Sequence, residues 1–168
     1  MEKILKFYVG IDVSKPYFDA SIMQVIDHKK EELQTEQFAN NKEGLLSFQK
    51  CYKSSGAKKM EQLFVVIEKT ALYHRPIWQF CSKQNIALHI GNAAQIKWSL
   101  GITRGKNDKI DSKRLCNYAF KNQDDLQATA ALNPVFIKLE DLDDSKNKFA
   151  VSLYRHKKLF KRTKSKQR

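Results

Sequence analysis

The sequence predicts a single α/β domain, built on a mixed five-stranded sheet with flanking helices and followed by a basic C-terminal helix. Three observations predict it: a β-rich hairpin at the start, a continuous apolar run near the middle, and helix-spaced apolar residues that alternate with short strands thereafter. A chain of 168 residues is long enough to bury a core and short for two full domains.

The first half of the chain predicts a three-stranded antiparallel meander and then a helix. Two segments rich in β-branched and aromatic residues flank Ser14-Lys15-Pro16, and a more polar strand follows them. The strands are predicted at 4–13, 17–26 and 33–38, and the helix runs from a cap at Asn40-Asn41-Lys42-Glu43 to about Ser54-Ser55-Gly56.

The second half predicts strands that alternate with helices. Leu63-Phe64-Val65-Val66-Ile67 is apolar without alternation, which is typical of a central strand covered on both faces. A helix at 73–84, a strand at 86–90 and a helix at 109–122 follow, while the glycine-interrupted stretch 91–107 is predicted to be a loop with one helical turn. This order of elements fits a ribonuclease H-like fold.

Composition divides the chain into a domain at 1–123, a linker at 124–144 and a basic helix at 145–168. The net charge is +13, and because the last segment holds ten lysines and arginines and no acid, only +3 belongs to the rest. Such a segment favours nucleic-acid binding through phosphate contacts, and a solubilising terminus is the alternative.

Scattered cysteines and histidines predict neither disulfides nor a zinc site. The sequence shows no leader peptide and no apolar segment of membrane-spanning length, so we expect a cytoplasmic protein without a membrane partner.

Four acids have the placement that a metal site needs. Asp12 lies in the first strand, Glu68 closes the central apolar strand, and Asp108 and Asp111 share one face in the first turn of the last helix. Carboxylate oxygens are the ligands that Mg²⁺ or Mn²⁺ prefers, and such ions neutralise charge in phosphodiester chemistry. Three of the four acids also have a structural alternative: a turn residue for Asp12, an N-cap for Asp108, and pairing with Lys109 or Arg114 for Asp111.

Three segments resemble the N-terminal DEDD domain of insertion-sequence-110 transposases, relatives of the Piv invertases. They are Gly10-Ile11-Asp12-Val13-Ser14-Lys15, Ile67-Glu68-Lys69-Thr70 with Tyr73, and the whole of 101–115. The resemblance implies a RuvC-like domain in which Asp12, Glu68, Asp108 and Asp111 are catalytic and bind Mg²⁺ or Mn²⁺. It also implies action on DNA in transposition, a structured guide RNA as a further partner, and a homo-oligomer in the full-length family.

The chain departs from the family pattern at Asn107, where many members have threonine, and at Gly91-Asn92-Ala93. The sequence also stops where the family's connecting helices begin, before the domain that carries a nucleophilic serine, so whether this polypeptide alone is an enzyme stays open. A binding remnant without catalysis and a RuvC-type nuclease or resolvase are the alternatives. A sugar-kinase-type phosphate loop is disfavoured because no second glycine follows Asp12.

Basic residues with an aromatic among them surround the acids. They are predicted to bind nucleic acid, the aromatic by stacking on a base and the cations by holding phosphates. The residues are Lys97, Trp98, Arg104, Lys106 and Lys109. Packing of Trp98 onto the domain is the structural alternative.

Overall fold

The computed structural model describes residues 5–70, 72–100 and 108–133, and residues 135, 138, 142, 145 and 146, with only the backbone described at 100 and 108–110. The strands are β1 Leu5–Val13, β2 Tyr17–Ile26, β3 Lys29–Ala39, β4 Leu63–Glu68 and β5 Ala87–Gly91. The helices are α1 Lys42–Ser54, α2 Arg75–Gln84, α3 Ala93–Leu100 and α4 Asp108–Lys121, with a short 3-10 helix at Met60–Gln62.

The five strands form one mixed sheet in the order β3-β2-β1-β4-β5. The meander β1 to β3 is antiparallel, whereas β4 joins β1 and β5 joins β4 in parallel. The mixed five-stranded sheet and its flanking helices confirm the predicted architecture.

The chain divides into two compact units, 1–131 and 132–168. In the second unit, residues 135, 138, 142, 145 and 146 are helical, and the backbone N–H of Val135 donates to Asn133 Oδ1 at 2.9 Å. The predicted basic helix beyond residue 146 lies outside the described residues. No helix in the described part of the chain is long and apolar enough to cross a membrane.

One difference from the sequence prediction concerns 91–107, which was expected to be a loop with a single helical turn. Residues 93–100 instead form α3. The side chain of Asn92 accepts a hydrogen bond from the Ala94 N–H at 2.8 Å, and Ile96 is buried on the domain. Local capping and one apolar anchor therefore stabilise a helix in a stretch whose glycines lie at or beyond its ends.

Each face of the sheet has its own hydrophobic core because successive side chains of a strand point to opposite faces. On one face, Val9, Ile11, Val65 and Ile67 pack with residues of α1 and α2, among them Phe48. On the other face, the core contains residues of α4 and a different set of strand residues. That set is Tyr8, Met23, Val25 and Val66. We call these the aromatic face and the α4 face.

The segment after α4 covers the outer edge of β5. The Thr129 N–H donates to Leu88 O at 2.7 Å, and Thr129 Oγ1 accepts from the Ile90 N–H at 3.0 Å. His89 Nδ1 lies 2.8 Å from Gln127 O, and Trp78 Nε1 donates to Ala130 O at 3.1 Å. The first unit therefore includes chain well beyond the end of α4.

Candidate active site

Asp12 and Glu68 lie on adjacent strands at one end of the sheet, each one residue beyond the last pair of the β1–β4 ladder. Ile11 pairs with Ile67 in the parallel β1–β4 ladder, and both are fully buried on the aromatic face. The next residue of each strand is the acid, so Asp12 and Glu68 point to the α4 face. Both acids are partly exposed.

A third carboxylate, absent from the predicted site, lies beside Asp12. Asp19 pairs directly with Asp12 in the β1–β2 ladder, and its relative exposure is only 1%. The side chain of Gln37, its partner in β3, donates from Nε2 to both carboxylate oxygens at 3.2 and 3.4 Å. The end of the sheet thus carries a row of polar side chains from Gln37 through Asp19 to Asp12.

Helix α4 reaches this row because β1 has a glycine where the helix crosses it. A Cβ atom on Gly10 would lie 2.1 Å from Cys116 N and 2.2 Å from Ser112 O, both backbone atoms of α4. The backbones of helix and strand are therefore in direct contact, which a larger side chain would prevent.

The direction of α4 brings its N-terminus to the end of the sheet where Asp12 lies. Ser112 O lies over Gly10, and later residues of the helix contact Tyr8, further from Asp12 along β1. Cys116 Sγ lies 3.1 Å from Tyr8 O, and the Phe120 and Tyr8 rings meet edge to face at 5.7 Å. The first turn of α4, which begins at Asp108, is therefore at the same end of the sheet as Asp12.

Buried hydroxyl groups hold α4 in this place. Ser21 Oγ on β2 lies 2.9 Å from Ser112 Oγ on α4 and 2.8 Å from Thr35 Oγ1 on β3. Ser21 and Ser112 are fully buried, so each hydroxyl needs its partner. These directional bonds fix the helix laterally across the strands.

Asp111 forms an ion pair with the next turn of its own helix. Arg114 Nη1 lies 2.7 Å from Asp111 Oδ1, which is the structural alternative that the sequence left open. The side chain of Asp108 lies outside the described residues. Among the side chains that the structure describes, no three of the His, Cys, Asp or Glu type are grouped closely enough to hold a metal ion.

The chemistry of the donors nevertheless fits a hard divalent cation. Asp12 and Glu68 could supply carboxylate oxygens from adjacent strands, and Asp111, in the first turn of α4, could supply another only by leaving Arg114. The positive charge of the Arg114 guanidinium lies beside Asp111, the acid that would have to turn to reach a cation. The site therefore has the ligand types for Mg²⁺ or Mn²⁺, with Asp111 engaged elsewhere.

The thiol next to this site is a packing group. Burial raises the pKa of Cys116 to about 12, although backbone hydrogen bonds and the charge of Lys30 act in the opposite direction. At neutral pH the side chain is therefore a neutral thiol rather than a nucleophilic thiolate.

The predicted nucleic-acid residues are only partly described. Lys97 and Trp98 are exposed on α3, and at 82% exposure Trp98 does not pack onto the domain. Ser99 and Asn122 exchange side-chain hydrogen bonds at 3.3 to 3.5 Å, which fixes α3 against the end of α4. Arg104 and Lys106, and the side chain of Lys109, lie outside the described residues.

Comparison with known proteins gives a family and a fold. The family model of the insertion-sequence-110 DEDD transposases, described as transposase, matches residues 9–163. The RuvC of Thermus thermophilus, solved in complex with a Holliday junction substrate, is similar over 74% of this chain and 99% of its own, with 8% identity and a TM-score of 0.51. A second structure of Thermus thermophilus RuvC covers 73% of this chain and 99% of its own at 8% identity, with a TM-score of 0.49. No curated protein matches the chain. The RuvC-like, ribonuclease H-like fold expected from the sequence is confirmed.

Proposed function

Because the chain belongs to the insertion-sequence-110 family of DEDD transposases, we propose that it acts on DNA in transposition through a divalent-metal site. Asp12, Glu68, Asp108 and Asp111 are the ligands of this proposal. The observation that carries it is the meeting of three elements at one end of the sheet: β1 and β4 present two acids on the same face, and α4 begins above them.

A bound Mg²⁺ or Mn²⁺ would supply charge neutralisation at the attacking and leaving oxygens of a phosphodiester. The protein's own contribution is to hold its oxygen ligands in place. Strands position Asp12 and Glu68 more rigidly than a loop would. The close packing of α4 on Gly10 fixes the distance between the sheet and the helix backbone that carries Asp111.

Asp19 and Arg114 contribute to the charge of the site in the absence of metal. Asp19 adds a buried carboxylate directly opposite Asp12, so negative charge accumulates at this point of the sheet. Arg114 balances Asp111. To serve as a ligand of a bound cation, Asp111 would have to turn away from Arg114.

Substrate DNA is proposed to contact α3, where Lys97 offers a cation for phosphate and Trp98 offers a ring for base stacking. Arg104, Lys106 and Lys109 are proposed to bind phosphates of the same substrate. A guide RNA and a homo-oligomer, implied by the family resemblance, remain predictions. Nucleic-acid binding without catalysis is the second candidate, favoured by the Asp111–Arg114 pair.

The test is a calorimetric titration of Mn²⁺ into the wild-type protein and into the Asp12→Asn/Asp111→Asn double variant. We expect binding by the wild type that the double variant loses, because two oxygen ligands have lost their charge. Lys113→Gln on the exposed side of α4 is the control for a general effect of surface charge. Equal binding by wild type and double variant contradicts the proposed ligands, and no binding by the wild type favours the second candidate.

A further inference from the structure

Asn40 joins the loops that follow the two acid-bearing strands. Its side-chain Nδ2 donates two hydrogen bonds, to Ser14 O at 3.0 Å and to Tyr73 O at 3.0 Å. Its backbone N–H donates to Pro16 O at 3.0 Å. One residue after β3 therefore fastens the loop after β1 to the loop after β4.

On the β4 side, the hydrogen bonds lead from Asn40 back to the backbone of Glu68. The Tyr73 N–H donates to Thr70 O at 3.1 Å, and Thr70 Oγ1 donates to Glu68 O at 3.3 Å. A displacement of Tyr73 would thus also displace the end of β4.

On the β1 side, the path is shorter. Ser14 is two residues beyond Asp12, and both its N–H and its hydroxyl donate to Tyr17 O, at 2.9 and 2.7 Å. Two hydrogen bonds therefore close the turn between β1 and β2, and Asn40 donates to its backbone from outside.

The environment of Asn40 suits a residue that fixes local geometry better than one that adds stability. Only the NH₂ group of the amide can face two carbonyl oxygens, so the orientation of the side chain is fixed. Its Oδ1 is then buried and accepts no hydrogen bond from the residues that the structure describes. An unpaired buried acceptor lowers stability, which offsets part of what the two donated bonds contribute.

We propose that Asn40 is a positioning residue for the acidic site: it ties the segment after Asp12 to the segment after Glu68, and so keeps the separation of the two acids constant beyond the last pair of the ladder, Ile11 and Ile67. The inference rests on the proposed function, since that separation matters only if both acids bind one cation. Groups hydrogen-bonded directly to metal ligands change metal affinity by about 10-fold to 100-fold, and because Asn40 acts through the backbone on either side of the site, we expect an effect at the lower end of that range.

The neighbouring Asn41 provides a matched control. Its side chain caps α1 by accepting from the Gly44 N–H at 2.9 Å, a role that aspartate fills equally well. Asn40→Asp and Asn41→Asp make the same isosteric change and add the same charge. Only the first of them removes a donor that the structure uses.

The experiment measures Mn²⁺ affinity by calorimetry for wild type and both variants, well below their melting temperatures. We expect Asn40→Asp to bind about tenfold more weakly and Asn41→Asp to bind at least as tightly as the wild type. Added negative charge alone would strengthen cation binding, so a loss reports on geometry. A role in stability alone would lower the melting temperature of Asn40→Asp without changing its affinity.

The outcomes separate this inference from the proposed function. Wild-type binding with equal affinities in both variants overturns the role of Asn40 and leaves the metal site standing. An absence of Mn²⁺ binding by the wild type overturns the site, and the positioning role with it. If Asn40→Asp does not fold, Asn40→Ser removes the same two bonds without a charge, and an unchanged affinity in that variant likewise overturns the inference.

Discussion

The two faces of the sheet use alternate residues of the same strands for different purposes. On the aromatic face, Phe18, Phe38, Phe48 and Tyr52 form a cluster with ring centroids 5.3 to 5.8 Å apart, mostly edge to face. On the α4 face, the strands contribute a glycine, buried hydroxyls and carboxylates beside a smaller apolar core. Packing on the aromatic face stabilises the domain, whereas the α4 face determines where the N-terminus of α4 lies relative to Asp12 and Glu68.

This difference predicts that stability and metal binding can be changed separately. Large apolar contacts can be lost on the aromatic face without moving the acids. Small changes of backbone spacing on the α4 face should move them. The following substitutions test the separation in order of expected effect on stability.

Phe48→Ala should have the largest effect on stability. The ring is fully buried and contacts Phe18, Phe38 and Tyr52, so its loss removes apolar burial and leaves a cavity. We expect the free energy of unfolding to fall by about 3 to 5 kcal/mol in urea titrations. Leu46→Ala, on the exposed side of α1, should change it by less than about 0.5 kcal/mol. If the folded Phe48→Ala protein also loses Mn²⁺ affinity, the two faces are not independent.

Gly10→Ala should come next and should affect both properties. The added methyl group would collide with backbone atoms of Ser112 and Cys116, so α4 has to move away from β1. We expect a loss of about 3 kcal/mol, the upper end for overpacking, together with weaker Mn²⁺ binding.

Gly91→Ala is the control for Gly10→Ala. Its nearest obstacle is the flexible end of the Ile96 side chain at 2.8 Å rather than backbone, so the loss should be smaller than for Gly10→Ala. Equal losses at both glycines would contradict the direct contact of helix and strand as the reason.

Asp19→Asn should have the smallest effect on stability, and with the opposite sign. It removes one of two carboxylates that face each other across β1 and β2, while the amide oxygen can still accept from Gln37. Without metal we expect the folded state to gain roughly 0.5 to 1 kcal/mol, and the rise in melting temperature on adding Mn²⁺ to shrink. Glu32→Gln, exposed on β3, should leave both measurements unchanged. A less stable Asp19→Asn protein would show that the carboxylate is structural.

Much of the fold follows from local patterns in the sequence. The hairpin is marked by two β-rich segments around Ser14-Lys15-Pro16, and β4 by a fully apolar run, because a strand covered on both faces has no need of alternation. Helix α3 was missed because its capping residue and its one buried anchor are a weak signal between glycines.

The placement of the candidate ligands was predictable in part. Asp12 and Glu68 end strands that pair in parallel, and this placement follows from their positions in sequence. Asp19 was missed because it lies within an apolar strand. It could have been found by counting outward from the middle of the hairpin loop, which pairs Val13 with Phe18 and then Asp12 with Asp19. The ion pair of Asp111 with Arg114 depends on side-chain rotamers, which spacing alone leaves open.

The cover that residues 127–130 give to β5 affects how this protein should be shortened for study. A chain cut directly after α4 would expose the C=O of Leu88 and the N–H of Ile90, which Thr129 now engages. An unpaired strand edge is a template for association with other chains, so such a fragment should aggregate. A fragment that ends at residue 131 keeps the edge closed, and this choice of boundary decides whether the domain can be handled alone.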